Sequence, residues 1–322
     1  MIEMAERGVV GAVPVRDARR STPSTWTEIR KHWTSYLFIL PNLIGVLVFL
    51  AFPVIFALYM SFTEWDVLTS PKFIGLANYT KMFTDDKLFW TSLWNSTYYV
   101  ILTVPASIVV GLGLAVAMNQ AIRGIAFFRA ALYIPVLASA VAVASVWRWI
   151  LNTEYGVLNA ILEKLHLPST IGWLTDPHYA MFSLAMMGIW KSAGYYAVIM
   201  FAALQGVPKT LLEAAELDGA SPWRRFINIT VPMIAPAILF VTVVAVIGSF
   251  QVFDQVFFID KNGGPGTSTY VYNLHLYNNA FSYFRMGYAS AMAYVLFAIL
   301  FIITYLQLRV GRERASGAYD YA

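Results

Sequence analysis

Residues 213–232 read Glu-Ala-Ala-Glu-Leu-Asp-Gly-Ala-Ser-Pro-Trp-Arg-Arg-Phe-Ile-Asn-Ile-Thr-Val-Pro, and this polar stretch lies between two long apolar runs. Asp218-Gly219 predicts the end of a first helix, because glycine readily takes the left-handed conformation found at helix ends. Ser221-Pro222 predicts the start of a second helix, with serine as cap and proline in the first turn. The stretch therefore predicts a helix–turn–helix that a soluble partner can grip.

The segment before Asp218 also carries a helix-start signal. Thr210 is followed three residues later by Glu213, the spacing of a capping box. Ala214 and Ala215 put small side chains on one face, where another surface can approach closely. After the second helix, Pro232 and Pro236 are expected to set the angle at which the chain re-enters the bilayer.

Composition indicates that most of the chain is dissolved in lipid. Of its 322 residues, 59% are hydrophobic and 12% charged, and the mean hydropathy is +0.61. A soluble domain carries about 25% charged residues. The chain has no cysteine, which excludes disulfides and thiolate metal sites. Its four histidines are scattered without ligand spacing, and we interpret them as interfacial or loop residues rather than metal ligands.

Six segments are long and apolar enough to span a bilayer, which takes about 20 residues each. They lie near Tyr36–Phe62, Leu93–Met118, Phe128–Leu151, Tyr179–Leu204, Met233–Phe253 and Gly287–Leu308. Membrane helices tolerate internal prolines when neighbouring helices satisfy the freed backbone groups. The prolines inside these runs are Pro41, Pro53, Pro105 and Pro135.

Basic residues predict the orientation, because cytoplasmic loops carry an excess of Lys and Arg. With both termini inside, the cytoplasmic segments hold Arg7, Arg16, Arg19, Arg20, Arg30, Lys31, Arg123, Arg129, Lys209, Arg224, Arg225, Arg309, Arg312 and Arg314. The outer loops then hold Lys72, Lys81, Lys87, Lys164, Lys261 and Arg285. This distribution predicts cytoplasmic termini and a cytoplasmic location for Glu213–Pro232.

The predicted organisation is all-α and polytopic. We expect a basic cytoplasmic segment at residues 1–35, a six-helix membrane domain at 36–308 with a loop at 207–232, and a cytoplasmic tail at 309–322. Trp26, Ile29 and Trp33 beside Arg30 and Lys31 are typical of a short helix in the lipid headgroups. A disordered tail with incidental tryptophans is the open alternative.

The pattern E-A-A-x-x-D-G-A, followed by Phe226, Ile229, Pro232 and Pro236, resembles the cytoplasmic docking loop of binding-protein-dependent ABC importer permeases. The resemblance implies the type I ABC importer permease fold and a coupling helix that sits in a cleft on an ATP-binding subunit. Carried over to this chain, the ATPase-coupling residues are Glu213, Ala214, Ala215, Asp218, Gly219, Ala220 and Arg224.

Other motifs resemble the sugar-type permeases related to the maltose and glycerol-3-phosphate importers, over residues of about 35 to 310. They are Phe73-Ile-Gly-Leu-Ala-Asn-Tyr79, Tyr133-Ile-Pro135 through Trp147-Arg-Trp149, Tyr155-Gly156 with Asn159, Asn262-Gly-Gly-Pro265, Ala280-Phe281 and Gly287-Tyr-Ala-Ser-Ala291. One departure is that Phe253 to Gly263 is a residue longer than usual, which blurs the register near Asp254.

The resemblance implies a multi-subunit importer in the cytoplasmic membrane. Its partners are a sister permease or second copy, two ATP-binding subunits, an extracytoplasmic solute-binding protein, membrane lipid and a sugar, with no nucleic acid. The chain has no G-x-x-x-x-G-K-[ST] phosphate loop, since Gly263-Gly-Pro-Gly-Thr267 lacks the lysine. We therefore expect no enzyme activity and no cofactor bound by this chain, with ATP and Mg on the partner subunits.

Other function classes stay open at this point. The nearest alternative is an ABC importer permease whose solute is glycerol-3-phosphate or another small polar molecule. An amino-acid or peptide permease carries the same docking loop, but the Asn-Gly-Gly-Pro stretch favours sugars. A secondary carrier needs no ATPase, and a membrane scaffold or channel shows no vectorial uptake.

An ionisable side chain inside a bilayer is a functional candidate. Lys191 lies about twelve residues into the fourth span, and Asp254 is its obvious partner, although Asp254 lies near the outer end of the fifth span.

Sugars require aromatic faces for stacking and polar groups for their hydroxyls. Further substrate-path candidates with such groups are Trp190, Tyr195, Tyr196, Ser249, Phe250 and Gln251. In the maltose importer, positions aligned with Trp190, Tyr195 and the middle of span five line the sugar site. The alternatives are that these are packing aromatics, or that only the sister permease contacts substrate.

Overall fold

The computed structural model describes residues 33–120 and 123–319. Of the predicted headgroup helix, Trp26, Ile29, Arg30 and Lys31 lie outside the described residues, and Trp33 begins the first described helix. The chain divides between Ile55 and Phe56 into two compact units.

The described part of the chain is almost entirely helical. Its α-helices are α1 (Trp33–Val46), α2 (Phe52–Ser61), α3 (Ala77–Thr84), α4 (Lys87–Met118), α5 (Ile125–Leu137), α6 (Ala140–Ile150), α7 (Val157–Lys164), α8 (Pro177–Gln205), α9 (Lys209–Leu217), α10 (Pro222–Arg225), α11 (Val231–Met233), α12 (Ala235–Phe250), α13 (Asp254–Ile259), α14 (Tyr272–Tyr277) and α15 (Met286–Tyr319). Wider π-helical turns occupy Leu47–Ala51, Phe226–Thr230 and Asn278–Ser282, and a 3-10 turn occupies Pro265–Thr267. Strands β1 (Thr63–Glu64) and β2 (Lys72–Phe73) pair antiparallel, with Thr63 opposite Phe73.

Five of the six predicted spans correspond to continuous apolar segments. In the described residues these are Leu37–Ser61, Lys87–Met118, Pro177–Gln205, Ala235–Ile259 and Met286–Gly311. The last helix, α15, runs on to Tyr319, into the region predicted as a tail. These segments agree with an all-α membrane fold.

The third span differs from the prediction. α5 and α6 meet at an angle of 98° instead of forming one straight helix over Phe128–Leu151. Ala138 and Ser139 have extended backbone, and the Ser139 hydroxyl accepts a hydrogen bond from the Ala142 amide at 3.3 Å, so Ser139 caps a new helix. Only one turn of helix separates Pro135 from this break. The span is therefore broken, or the segment re-enters the membrane from one side.

α4 and α8 form the most extensive helix pair, and α5 and α12 pack on them. Hydroxyl groups join the pairs: Thr103 donates to Ser249 at 3.1 Å, and Ser107 bonds to Ser192 at 3.3 Å. Gly194 permits close approach of α5, because a Cβ at that position would overlap the Leu132 carbonyl oxygen. Close backbone contact at small residues is the usual packing mode of membrane helices.

The two ends of the α4–α8 pair differ in structure. At one end Gln205 donates a hydrogen bond to Asn119, and the α9–α10 hairpin follows directly. We call this the hairpin end. The start of α4, at the distal end, lies roughly 48 Å away at about 1.5 Å per residue.

A buried polar network joins three elements at the distal end. Asp86 caps α4 by accepting from the Phe89 amide at 3.1 Å. Its other oxygen accepts from the Tyr288 hydroxyl of α15 at 2.6 Å and lies 2.8 Å from His275 Nε2 of α14. His275 Nδ1 lies 3.2 Å from the Tyr270 hydroxyl. His275 is 3% exposed, so its interpretation as an interfacial or loop residue was wrong.

Candidate functional site

The predicted helix–turn–helix is present as α9 and α10. Gly219 has a φ of +79°, and its amide donates to the Glu216 carbonyl at 3.0 Å. The Ala220 amide donates to the Ala215 carbonyl at 2.9 Å, which completes the helix end. The Ser221 hydroxyl accepts from the Arg224 amide at 3.4 Å, with Pro222 in the first turn of α10. The predicted stop and the second helix start are both confirmed.

The predicted capping box at the start of α9 was wrong. The helix begins at Lys209, with Pro208 in the capping position and no side-chain cap. Thr210 therefore lies inside the first turn instead of before it. Pro208 has extended backbone geometry and occupies the capping position, which leaves the threonine two residues too late in the chain to cap the helix.

An ion pair connects the two arms of this hairpin. An Arg225 Nη atom of α10 contacts a Glu216 carboxylate oxygen of α9. The Arg225 side chain is 20% exposed, whereas that of Glu216 is 65% exposed. Neither residue was singled out from the sequence, because charges nine positions apart in two helices meet only through the turn between them.

The hairpin presents its surface outward. α9 has no buried residue, and Glu213, Ala214, Asp218, Gly219 and Arg224 are exposed, while Ala215 and Ala220 are half-buried. Two apolar side chains beside them are also exposed, Leu217 at 90% and Trp223 at 69%. The hairpin thus exposes charged and large apolar side chains together.

A cavity of about 360 Å³ lies between α4, α5, α8 and the junction of α12 and α13. Residues from four regions line it: Tyr99 of α4, Val136 of α5, five residues of α8 (Gly188, Lys191, Ser192, Tyr195 and Tyr196), and seven residues around the junction of α12 and α13 (Gly248, Ser249, Gln251, Val252, Phe253, Asp254 and Gln255). The chain leaves helical geometry between Phe250 and Asp254, and Phe253 has φ −144° and ψ −59°. Three polar residues at this break, Gln251, Asp254 and Gln255, line the cavity.

The structure brings six of the eight substrate-path candidates together in this cavity. They are Lys191, Tyr195, Tyr196, Ser249, Gln251 and Asp254. Phe250 does not line it, because it is 4% exposed and belongs to the apolar core. Trp190 does not line it either; its ring packs edge-on against Trp147 of α6, with centroids 5.9 Å apart.

Lys191 and Asp254 lie at the same cavity although the sequence suggested different depths. Lys191 is the midpoint residue of α8, and Asp254 begins α13 after the helix break. Among the described residues, no ion pair within 4.0 Å joins the two side chains. The cavity therefore carries two ionisable side chains that are not paired with each other.

Three polar residues that line the cavity were not predicted from the sequence: Tyr99, Ser192 and Gln255. Tyr99 is 3% exposed, and its hydroxyl donates to Gln255 Oε1 at 3.3 Å. Ser192 lies next to Lys191, where helical spacing points it toward α4. Tyr99 lies in the second span, and only a three-dimensional arrangement shows that it faces α8.

The cavity combines the chemistry that sugars require. Tyr195, which is 37% exposed, supplies an accessible aromatic ring, and the buried Tyr99 and Tyr196 lie behind it in the wall. Ser192, Ser249, Gln251 and Gln255 supply hydroxyl and amide groups. Apolar ring faces of a sugar stack on aromatics, and its hydroxyls need donors and acceptors. Within the described residues there is no group of three His, Asp or Glu side chains placed to hold a metal ion.

Residues 104–314 match the family described as binding-protein-dependent transport system inner membrane component. This range covers well over half of the chain, including the hairpin and every cavity residue except Tyr99. It ends inside α15.

Individual relatives align over nearly their whole length. The probable ABC transporter permease protein YesP of Bacillus subtilis is 40% identical over 86% of this chain and 90% of its own. The lactose transport system permease protein LacF of Rhizobium radiobacter is 32% identical over 87% and 94%. Among solved structures, a bacterial ABC transporter that imports the acidic polysaccharide alginate matches with a TM-score of 0.77 at 24% identity, over 89% and 98% of the two chains.

Proposed function

Because the chain belongs to the family of binding-protein-dependent transport system inner membrane components, we propose that it is a membrane-spanning permease subunit of an ATP-driven importer of sugars or oligosaccharides. Curated relatives are named for lactose, arabinooligosaccharides, and trehalose and maltose. Each is at least 32% identical and aligned over at least 87% of this chain. The proposal transfers this solute class to the present chain.

The cavity is the proposed half of the translocation path. Lys191, Tyr195, Tyr196, Ser249, Gln251 and Asp254 are proposed to contact the solute, together with Tyr99 and Gln255. The cavity is open, and Gln251 and Asp254 are exposed to its mouth. A sister permease or a second copy of this chain is proposed to close the other side.

The hairpin is the proposed coupling element. Glu213, Ala214, Ala215, Asp218, Gly219, Ala220 and Arg224 are proposed to dock on an ATP-binding subunit, which supplies ATP hydrolysis and its Mg. The hairpin connects α8 to α12, and both helices line the cavity. Movement of the hairpin can therefore tilt two walls of the cavity, which is the basis of alternating access.

The observation that carries this proposal is the combination of an exposed hairpin and a polar cavity on the same two helices. A secondary carrier has no need of an exposed docking element between two cavity helices. We also propose that both termini and the hairpin are cytoplasmic, as the distribution of basic residues predicts.

The direct test is uptake by the assembled importer in proteoliposomes. The probes are lactose, maltose, trehalose and an arabinooligosaccharide, each first tested for binding to the partner solute-binding protein. We expect one probe to accumulate only when ATP, both ATP-binding subunits and the binding protein are all present. Uptake by the purified chain without an ATPase would contradict the proposal.

Gly219→Asp tests the coupling role in the same assay. Left-handed backbone disfavours non-glycine residues, although aspartate tolerates it better than most. The added carboxylate also lies beside Asp218 on the proposed docking surface. We expect loss of ATPase association or of coupled uptake while the chain remains in the membrane. Glu163→Gln in α7, remote in sequence and exposed, is the matched control. Normal transport by Gly219→Asp would count against the docking role.

A further inference from the structure

Glu216 and Arg225 are not among the proposed coupling residues, yet their ion pair joins the two arms of the hairpin. We propose that this pair fastens α9 to α10, so that the hairpin moves as one rigid lever instead of bending at Gly219. This inference rests on the proposed function, because a lever has a role only if a partner moves it.

Other contacts constrain the angle between the arms only weakly. No residue of α9 is buried, and only Leu212 and Ala215 within it are half-buried, so little apolar packing holds it in place. A segment with few buried contacts has low local stability. The turn itself consists of Asp218, Gly219 and Ala220, and Gly219 has open space around its α-carbon and a positive φ. The backbone hydrogen bonds of the turn end α9, but they do not reach α10.

Arg225 is well placed to hold the angle. Its side chain is largely shielded, at 20% exposure, and its own amide donates to the Ser221 carbonyl at 3.0 Å, within α10. The guanidinium is a planar donor that suits a carboxylate better than an ammonium does. The next residue, Phe226, begins the turn that leads through α11 into α12. The ion pair thus connects α9 to the segment that leads into α12, the helix that ends at Phe250 beside the cavity.

The Glu216–Arg225 ion pair determines whether a displacement of α9 is transmitted to the helices that line the cavity. If α9 and α10 are fastened, displacement of α9 moves the ends of α8 and α12 together. If the pair is broken, the same displacement is absorbed by rotation at Gly219. Glu216 and Arg225 are therefore positioning residues, since they act through the helices and do not touch the solute.

The test begins with the geometry of the hairpin in the isolated chain. The chain has no native cysteine, so Thr210→Cys in α9 and Asn228→Cys beyond α10 give two exposed spin-label sites. Double electron–electron resonance in lipid nanodiscs then measures the distance distribution between them. We expect a narrow distribution in the parent, a broader one in Glu216→Gln and in Arg225→Gln, and recovery in the swap Glu216→Arg with Arg225→Glu. A distribution in both single variants as narrow as in the parent would overturn the proposal.

The second measurement is solute transported per ATP hydrolysed by the assembled importer, using whichever of lactose, maltose, trehalose or arabinooligosaccharide the parent takes up. We expect a decrease of about threefold in the single variants, as partly exposed charges support, with recovery in the swap. High salt should lower the ratio in the parent but not in Glu216→Gln, because salt screens exposed pairs. A broadened hairpin with an unchanged ratio would also overturn the inference. If the parent takes up none of these sugars, the proposed function is contradicted instead. The distances measured by electron resonance then decide whether the ion pair holds the hairpin rigid.

Discussion

Tyr195 shows how a single cavity residue can be tested. It lies on the cavity wall and is 37% exposed, with its ring 5.7 Å from that of Tyr196. An aromatic contact contributes about 0.5–1.5 kcal/mol beyond area burial. We therefore expect Tyr195→Ala to raise the KM for uptake by roughly three- to tenfold, without altering association with the ATP-binding subunits.

The control for this variant is Tyr305→Ala in α15, an exposed tyrosine that does not line the cavity. Uptake assays at graded solute concentrations separate a change in KM from a change in maximal rate. If Tyr195→Ala has the uptake kinetics of the parent, the sugar site lies on the sister subunit.

Individual cavity residues could be predicted where chemistry alone singles them out. Lys191 and Asp254 are ionisable groups in apolar runs, and both line the cavity. Phe250 was wrongly grouped with Ser249 and Gln251, because the direction of each side chain depends on a helix break that the sequence does not reveal. Trp190 has the chemistry of a sugar contact but packs against Trp147 instead. Composition identified the correct segments, and the local backbone decided which residues face inward.

Secondary-structure elements were predictable where apolar length determines them. The five continuous spans follow from hydropathy, and the turn at Gly219 follows from a local backbone preference. The 98° bend between α5 and α6 does not follow, since Pro135 is compatible with a straight or a broken span. Ser139 caps α6, and α6 in turn packs against α13, a contact that the sequence does not reveal. Tertiary contacts therefore select between two local structures that the sequence permits.

Asp86 gives a prediction about the contacts between elements at the distal end. Burial alone raises the pKa of this carboxyl, but hydrogen bonds from Tyr288 and His275 outweigh burial and lower it below 3.8. A lowered folded-state pKa stabilises the protein at every pH above the unfolded value, and this stabilisation is lost as the pH falls through the folded value. We expect Asp86→Asn to lower the Tm at neutral pH by roughly 2–6 °C, because it replaces charge-assisted hydrogen bonds.

The pH dependence identifies the origin of that loss. The Tm difference between parent and Asp86→Asn should be present at neutral pH and should shrink as the pH falls through the lowered pKa of Asp86. Asp85→Asn, which changes the adjacent exposed carboxyl, is the control and should have little effect. Thermal unfolding followed by tryptophan fluorescence measures both series. A difference that persists unchanged at acid pH would mean that Asp86 acts through shape and not through its charge.

At the scale of the whole molecule, the mechanism requires that the hairpin and the distal end lie on opposite sides of the membrane. The length of α4 separates them by roughly 48 Å, which exceeds the ~30 Å thickness of a hydrocarbon core. The counts of basic residues predict which side is cytoplasmic. The proposed ATP-binding subunits would reach the hairpin only from that side. Orientation is therefore the property on which docking, coupling and solute entry all depend.

Single cysteines on the cysteine-free chain test this orientation. Leu217→Cys places a thiol on the hairpin at a position 90% exposed, and Leu68→Cys places one at the distal end at a position 86% exposed. In right-side-out membrane vesicles, a membrane-impermeant maleimide should label Leu68→Cys directly and Leu217→Cys only after permeabilisation. The parent chain, which has no thiol, controls for background labelling. The reverse pattern would place the hairpin where no ATPase can reach it, and both the coupling role and the lever would then be excluded.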